Sequence, residues 1–225
     1  MSMPFYVPPE QMVKDRADFA RKGISRGRAL IATQCAEGIL IVAENPSSTL
    51  RKISEIYDRI AFAGVGKYNE FDQLRMLGVR QADLTGFQYS RRDVEARSLV
   101  NQYAQAIGHE FTSGAKPLEV EILVAEVGDD KNGDRLFHIT FDGTVLDEHG
   151  FSVIGGDAEA VLARLQEKAP TDDSLGATLR AAVSALAGPD RTLGPTDIET
   201  ALLTRTSRRR RFERISVGTV TELLG

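Results

Sequence analysis

The chain has 225 residues, of which 42% are hydrophobic and 27% are charged, and its formal net charge is −4 at pH 7. That length is enough for one domain with a closed hydrophobic core. The single cysteine, Cys35, excludes an internal disulfide, and no run approaches the roughly 20 apolar residues of a membrane-spanning helix. The nearly balanced charge argues against a surface built for nucleic acid. We therefore expect a cytoplasmic protein that binds neither nucleic acid nor membrane.

A proline-rich segment opens the chain and a short helix follows it. Residues 1–9 contain three prolines and two aromatic residues, which favours an extended backbone. The sequence Pro8-Pro9-Glu10 is typical of a helix start. Over about residues 10–23 the sequence predicts an amphipathic helix, whose apolar positions recur at helical spacing and are Val13, Ala17, Ala20 and Ile24.

Strands dominate the next part of the chain. Apolar and β-branched runs predict one hairpin from residues 29–33 and 39–43, and a second from residues 51–57 and 60–65. Asn69 is expected to cap a helix that buries Phe71, Leu74 and Leu77. Ser90 with Asp93 resembles a capping box that opens a second long helix.

The second half returns to strands and then to helices. Strands are predicted at residues 118–127, 136–141 and 151–154, with positive-φ turns at Asn132-Gly133 and Asp142-Gly143. Two helices follow, around Val161 and Leu179, and then strands at 198–203 and 212–217 and a terminal amphipathic turn. Because runs of strands alternate with runs of helices, the sequence predicts an α+β fold of antiparallel sheets covered by helical layers.

Residues 26–74 carry a more specific signal than periodicity. They read RGRALIATQCAEGILIVAENPSSTLRKISEIYDRIAFAGVGKYNEFDQL, and the segments SRRDVEARSLVNQYAQ and AKPLEVEILVAEVG follow in order. Together these segments resemble the α subunits of the 20S proteasome, of the actinobacterial type. The resemblance implies a four-layer αββα sandwich with two antiparallel sheets, as in the N-terminal-nucleophile hydrolases. It also implies a gating tail at residues 1–9 and a single domain at residues 10–225.

The resemblance implies a set of partners as well. Subunits of this family form seven-membered outer rings on rings of catalytic β subunits, stacked in the order α, β, β, α. Their N-terminal tails gate the pore, and pockets between neighbours receive the C-terminal tails of activators, among them a Pup-dependent ring ATPase. The gate residues would then be Phe5, Tyr6, Pro8 and Pro9. The ring contacts would be Val13, Ala17, Ala20 and Ile24, although the residues alone also allow this apolar stripe to pack on the sheet of its own chain.

The residues of the first hairpin argue against catalysis. A catalytic β subunit needs a threonine whose hydroxyl attacks and whose own amine is the base. Alignment on the hairpin glycine, Gly38, places Arg28 at the threonine position, Glu44 at that of a supporting aspartate and Lys52 near that of a lysine. The sequence therefore predicts a non-catalytic subunit. Two alternatives stay open: a divergent self-contained hydrolase of the same fold, and a ring-forming binding protein unrelated to proteolysis.

Three residues are expected in an activator-docking pocket. The resemblance implies that Lys52 pairs with the terminal carboxylate of an activator, which suits a flexible ammonium group. Arg26 would add a second cation, and Gly66 would allow a close backbone approach. The residues alone also permit a solvated strand lysine at 52 and an ordinary turn at 66.

The remaining charged and metal-binding candidates have simpler interpretations. The arginines near the C-terminus predict a solvated hairpin rather than a nucleic-acid site, and they are Arg205, Arg208–Arg211 and Arg214. The histidines His109, His138 and His149 lack metal-ligand spacing, and residues 129–134 lack the glycine and closing glutamate of a calcium loop. We expect no metal and no cofactor, and we expect Cys35 to fill the core.

Overall fold

Six α-helices and ten strands make up the described part of the chain, which in this computed structural model is residues 8–168, 170, 172–206 and 208–225. The helices are α1 Pro9–Ile24, α2 Tyr68–Gln88, α3 Ala96–Ser113, α4 Ala158–Glu167, α5 Leu175–Ala187 and α6 Val217–Leu224. The strands are β1 Leu30–Cys35, β2 Gly38–Glu44, β3 Ile53–Tyr57, β4 Ile60–Gly66, β5 Val120–Glu126, β6 Arg135–Ile139, β7 Val145–Glu148, β8 Phe151–Ile154, β9 Ile198–Thr204 and β10 Phe212–Arg214.

The strands form two antiparallel five-stranded sheets that pack face to face. One sheet has the order β10-β9-β2-β1-β8 and the other the order β3-β4-β5-β6-β7. Apolar side chains of both sheets meet in one buried cluster between them, which includes Leu30, Ile41, Ala63, Leu123 and Leu203. Burying two apolar sheet faces against each other is the sandwich solution to the hydrophobic effect. The prediction of two antiparallel sheets is confirmed.

Helices cover the outer face of each sheet. A second cluster packs α2 and α3 on the sheet that contains β4 and β5, with Phe62, Tyr103 and Phe137 at its centre. A third packs α4, α5 and α6 on the other sheet, around Leu40, Leu179 and Val220. The predicted order of four layers, helix, sheet, sheet and helix, is therefore confirmed. None of the helices in the described residues is both long enough and apolar enough to cross a membrane.

Strand register defines two opposite ends of this sandwich. At one end, which we call the Lys52 end, Glu44 pairs with Ile198, and Gly66 pairs with Val120. At the other, the Arg211 end, Gly38 pairs with Thr204, and the tips of the hairpins lie in the segments 36–37, 58–59, 127–134, 205–206 and 208–211.

The start of α2 differs from its prediction. The helix begins at Tyr68 with Lys67 as its N-cap residue and without a side-chain cap, so the capping role predicted for Asn69 is wrong. The Lys67 N–H instead donates to the Glu119 carbonyl at 2.9 Å, which fixes the entry of the helix from the sheet. Leu77 is 40% exposed, so it does not belong to the buried face with Phe71 and Leu74.

The capping motif at Ser90 also serves another element than predicted. Its hydroxyl accepts from the Arg92 N–H at 3.3 Å and caps a single 3₁₀ turn, Arg91–Asp93. The long helix α3 begins later, at Ala96, whose N–H donates to Glu126 at 3.0 Å. A carboxylate from a neighbouring strand therefore satisfies an N–H group that the sequence assigned to a local cap.

Turns and edge strands account for the other differences. Gly143 has the expected positive φ of 85°, whereas Gly133 does not and lies in a 3₁₀ turn capped by Asp130. Strand β7 was not predicted because its first three residues are exposed and lack a buried alternation. Strands β6 and β10 end earlier than predicted, at Ile139 and Arg214, where a turn and the cap of α6 begin.

Packing between α2 and α3 leads to a prediction on stability. The Tyr103 hydroxyl is buried with no hydrogen-bond partner among the described residues, and a Cβ added to Gly78 would lie 1.7 Å from it. We expect Gly78→Ala to destabilise the chain by about 1–3 kcal/mol through overpacking. Tyr103→Phe removes an unsatisfied buried group, so we expect it to be neutral or stabilising. In the double variant it should restore only part of the loss, because the ring carbon Cζ, 2.7 Å from the added Cβ, remains. Chemical denaturation of the four proteins checks this, and a large loss in Tyr103→Phe alone would contradict it.

Candidate functional site

In the sequence alignment, Arg28 takes the position of the threonine nucleophile of catalytic subunits, and this position lies at the Lys52 end, just before β1. Arg28 stands there in mid-chain, and its guanidinium pairs with the Glu44 carboxylate at the end of β2. The Lys52 ammonium, just ahead of β3, donates to the Arg28 carbonyl oxygen at 2.7 Å. The structure thus brings together the three residues that alignment selected, and a guanidinium occupies the place of a hydroxyl nucleophile.

Glu44 is ionised and held by two arginines. Its side chain is only 5% exposed, and it accepts from Arg191 Nη1 at 2.9 Å and Nη2 at 3.2 Å in addition to Arg28. Burial alone would raise the pKa of the Glu44 carboxyl, but the hydrogen bonds from Arg191 and Arg28 outweigh it and hold that pKa below its usual value. A bidentate arginine fixes the direction of this carboxylate as well as its charge.

Glu199, on β9, is a second buried carboxylate that sequence reasoning missed. It accepts from Arg214 Nη1 at 2.6 Å and from Asn45 Nδ2 at 2.8 Å. It also accepts from the backbone N–H groups of Lys52 at 2.8 Å and of Ile53 at 3.3 Å. One carboxylate of the first sheet therefore positions the start of β3 in the second sheet. An acidic residue within an otherwise apolar strand was the available signal.

The Lys52 ammonium is perturbed by this environment. Partial burial and the nearby Arg28 charge lower its pKa to about 8, although Glu44 and Glu199 act in the opposite direction. Lys52 is therefore largely protonated at neutral pH and loses its charge in mildly alkaline solution. Among the described residues, its Nζ has one hydrogen-bond acceptor, the Arg28 carbonyl, so two of its three donors are left for a ligand.

A cavity of about 390 Å³ adjoins this group of charges. Arg26, Arg28, Glu44 and Arg191 line it, and the Arg26 side chain is exposed. Arg26 therefore lies on the same cavity as Arg28 and Glu44, and its contact with an activator stays a prediction. The cavity walls combine three guanidinium groups with the carboxylates of Glu44 and Asp157, and the net positive charge that remains favours an anionic occupant.

Comparison with known proteins identifies the family. A model described as proteasome subunit matches residues 24–199. A protein from Acidimicrobium ferrooxidans named "Proteasome subunit alpha" is 56% identical over 225 residues, which cover all of this chain and 97% of the relative. Proteins of the same name from a Nocardioides species and from Thermomonospora curvata are 55% and 54% identical, again over all of this chain and over 90% and 98% of their own lengths. The chain belongs to the proteasome α-subunit family.

Family membership and the Arg28 geometry agree on catalysis. The chain is a non-catalytic subunit of a protease complex, as the first hairpin predicted. This finding disfavours the self-contained hydrolase and the unrelated ring-forming protein that the sequence left open. Within the described residues, no group of three or more histidine, cysteine, aspartate or glutamate side chains is placed to hold a metal ion.

Gly66 has a backbone role that the family motif left undefined. Its φ is +98°, and an added Cβ would lie 2.0 Å from the Glu119 carbonyl oxygen. A Cβ on Gly27 would lie 3.0 Å from the Gly66 nitrogen, so the backbones of the two glycines pack closely. At Gly66, the last residue of β4, the backbone therefore packs closely against the loop that contains Arg26 and against the residue that precedes β5. Its direct contact with an activator stays a prediction.

The predicted ring-contact residues separate into buried and exposed ones. Ala20 and Ile24 pack against Phe111 and Phe141 of the same chain, and they are 0% and 4% exposed. Their side chains therefore stabilise α1 on its own domain. This corrects the prediction that Ala20 and Ile24 contact a ring neighbour. Ala17 is partly buried on the same cluster, whereas Val13 is 54% exposed.

The predicted gate residues fall on both sides of the helix start. Phe5 and Tyr6 lie outside the described residues. Pro9 is the first residue of α1 and Pro8 is its N-cap, with the Pro8 carbonyl accepting from the Met12 N–H at 3.0 Å. Both prolines thus belong to the start of the helix, which corrects their assignment to a segment that precedes it.

The arginine run differs from a simple solvated hairpin. Arg205 is 11% exposed and pairs with the buried Asp134 at 2.5 Å. In the β9–β10 loop, Arg210 pairs with Glu55 at 2.7 Å and Arg211 with Asp129 at 2.7 Å. Ion pairs thus tie this loop to hairpins of the second sheet, which linear sequence could not show.

Proposed function

We propose that this chain forms the heptameric outer rings of a 20S proteasome core, stacked on rings of catalytic β subunits. Its N-terminal segment gates substrate entry, and its Lys52 end docks the C-terminal tails of a Pup-dependent ring ATPase or another activator. The observation that carries the docking proposal is the surplus of positive charge around Lys52. Family membership supports the ring assembly.

The charge surplus comes from four cations and two carboxylates. Arg28, Arg191 and Lys52 surround Glu44, and Arg214 pairs with Glu199, so these six groups together have a net charge of +2. On the cavity wall, the exposed Arg26 adds one positive charge and Asp157 adds one negative charge, so the surplus of +2 is unchanged. A peptide C-terminus brings one carboxylate, which these charges would partly neutralise.

The partial burial of Lys52 makes the affinity for an activator tail depend on pH. A partly buried ammonium has lost some of its hydration, so a carboxylate that contacts it restores a favourable environment. Binding would therefore raise the pKa of Lys52 from about 8. Because the protonated form binds, affinity should be highest below pH 8 and should fall as the pH rises above it.

The outer surface of α1 supports a contact between ring neighbours. Met12, Val13 and Phe19 are 52%, 54% and 47% exposed on one short helix. Met12 and Phe19 also line a cavity of about 360 Å³ with Lys116 and Pro117. Apolar side chains grouped in this way are typical of a surface that a second subunit covers.

The start of α1 supports the gate. Ala20 and Ile24 hold α1 on the domain, and Pro8 and Pro9 define its first turn. A segment that precedes a fixed helix can close a pore without disturbing the fold.

We further propose a cytoplasmic location, where the buried Cys35 thiol needs no disulfide partner. Burial raises the pKa of this thiol to about 11 and keeps it protonated.

Substitution of Lys52 tests activator docking. We expect Lys52→Met to abolish activator-stimulated protein degradation by the assembled particle, with assembly and basal peptide turnover unchanged. We expect Lys52→Arg to retain stimulation and to lose the decline above pH 8, since arginine stays charged. The exposed Lys168, at the end of α4, offers the matched control Lys168→Met. Normal stimulation in Lys52→Met would contradict the docking role.

Deletion of residues 1–7 tests the gate. This variant keeps Pro8 and Pro9, so α1 retains its start, whereas deletion through Pro9 would also remove helix structure. We expect peptide turnover by the assembled particle to rise several-fold, because the entrance loses its closing segment. A variant with residues 1–7 replaced by an equally long, shuffled sequence is the control for length. Unchanged turnover in the deletion variant would remove the gate from the account.

A further inference from the structure

The Arg211 end carries a second concentration of positive charge. It surrounds a cavity of about 840 Å³ formed by the β3–β4 turn, the segment after α2 and the β9–β10 loop. We call this cavity the arginine basin. Its arginines are Arg59, Arg91, Arg92, Arg208, Arg209 and Arg211. Two aspartates, Asp58 and Asp129, also line it, so the charge of the lining is +4.

Three of the arginines form a fixed wall. Arg91 binds Asp58 through two hydrogen bonds of 2.6 and 3.0 Å, and its guanidinium lies 4.4 Å from the centre of the Tyr57 ring. Arg211 pairs with Asp129 at 2.7 Å, and Arg59 pairs with Glu126 at 2.8 Å. These three arginines are therefore fixed in position, and the carboxylates of Asp58, Asp129 and Glu126 already have partners.

The other three arginines have unused binding capacity. Within the described residues, Arg92 and Arg208 have no carboxylate within 4.0 Å. Arg209 has one at 3.9 Å, Asp58, and its side chain is 74% exposed. Each guanidinium offers a planar fork of donors that matches a carboxylate. The basin can therefore accept two or more further acidic groups.

Exposed apolar residues beside the basin indicate a protein partner. Phe87 is 89% exposed and Tyr89 is 76% exposed, at the end of α2 immediately before the basin segment. Leu84, one turn earlier in the helix, is 48% exposed. Aromatic residues and arginine are enriched together at protein interfaces, whereas a small free anion would have no contact for the apolar side chains.

The position of the basin selects the partner. Arg211 and Asp58 lie at the end of the sandwich opposite Lys52, because β3, β4 and β9 run from one end to the other. If the Lys52 end faces activators, the Arg211 end faces the catalytic ring. We infer that the arginine basin and its aromatic rim bind an acidic segment of the catalytic β subunit, with clustered carboxylates beside an apolar residue. This inference rests on the proposed function.

Charge reversal in the basin tests the inference. We measure the affinity of the chain for its β partner, with the two proteins expressed and purified separately, at several NaCl concentrations. We expect Arg92→Glu and Arg208→Glu each to lower the affinity at least about tenfold, and the pair to lower it further. We expect the wild-type affinity to fall with salt, and the pair of substitutions to flatten that dependence. Phe87→Ser should weaken binding with the salt dependence retained.

Controls separate this surface from the rest of the protein. Lys168→Glu makes the same charge change on an exposed lysine of the opposite helical layer and should bind the β partner normally. The melting temperature of each variant chain shows whether it folds. If the double variant with Arg92→Glu and Arg208→Glu does not fold, the single substitutions and Phe87→Ser still test the inference. Ring formation by the variant chains alone should match that of the wild type.

Four results would overturn the inference. Normal β association in both charge variants would overturn it and leave the proposed function intact. Loss of rings of this chain alone would assign the basin to a second copy. Stabilisation by tripolyphosphate that only the basin variants lose, together with normal β association, would assign the basin to a free anion. Failure of the wild type itself to bind a β partner would remove the inference and the proposed function together.

Discussion

The carboxylate of Glu199 is the contact on which the Lys52 end depends. It lies on β9 in one sheet and accepts from the backbone N–H groups of Lys52 and Ile53 in the other, at 2.8 and 3.3 Å. Without it, two N–H groups at the start of β3 would lose their partner in a mostly buried place, which costs about 1–3 kcal/mol each. Arg214 neutralises the buried charge at 2.6 Å. One carboxylate thus fixes the sheets at this end and sets where the Lys52 side chain begins.

That fixed frame explains how an enzyme-like fold can serve a binding task. Arg28, Glu44 and Lys52 meet where the alignment places nucleophile, acid and lysine, but the arginine replaces the hydroxyl and pairs with the acid. The lysine keeps donors for a ligand and has a pKa lowered to about 8 by partial burial. Under the proposed function, these charged groups bind an incoming carboxylate instead of supporting acyl transfer.

Sequence reasoning was most successful where a pattern is local. Hairpin signals located β1 to β4, and the family motif brought Arg28, Glu44 and Lys52 together before their contacts were visible. It failed where a distant residue decides. Glu126 supplies the acceptor at the start of α3, and Glu199 organises the site from a strand about 150 positions after Lys52.

The two ends of the sandwich also show why the arginine run was misread. As a linear run it indicates a solvated loop, since its partners Glu55 and Asp129 are far away in sequence. Folding brings three basic segments around one basin, and Arg92 belongs to it although it lies on another segment. The ring contact predicted for Ala20 and Ile24 was wrong for a related reason. An apolar stripe on a helix shows that the stripe is buried, but it does not show whether it packs on the same chain or on a neighbour.

The most direct test of the docking account is the pKa of Lys52 itself. It can be followed by NMR in a chain labelled with carbon-13 at the lysine Cε, with Lys52→Arg to assign the signal. The account predicts a value near 8 in the free chain and a higher value when an activator C-terminal peptide is added. The same peptide with an amidated C-terminus should leave the value unchanged. An identical Lys52 titration with both peptides would contradict the account.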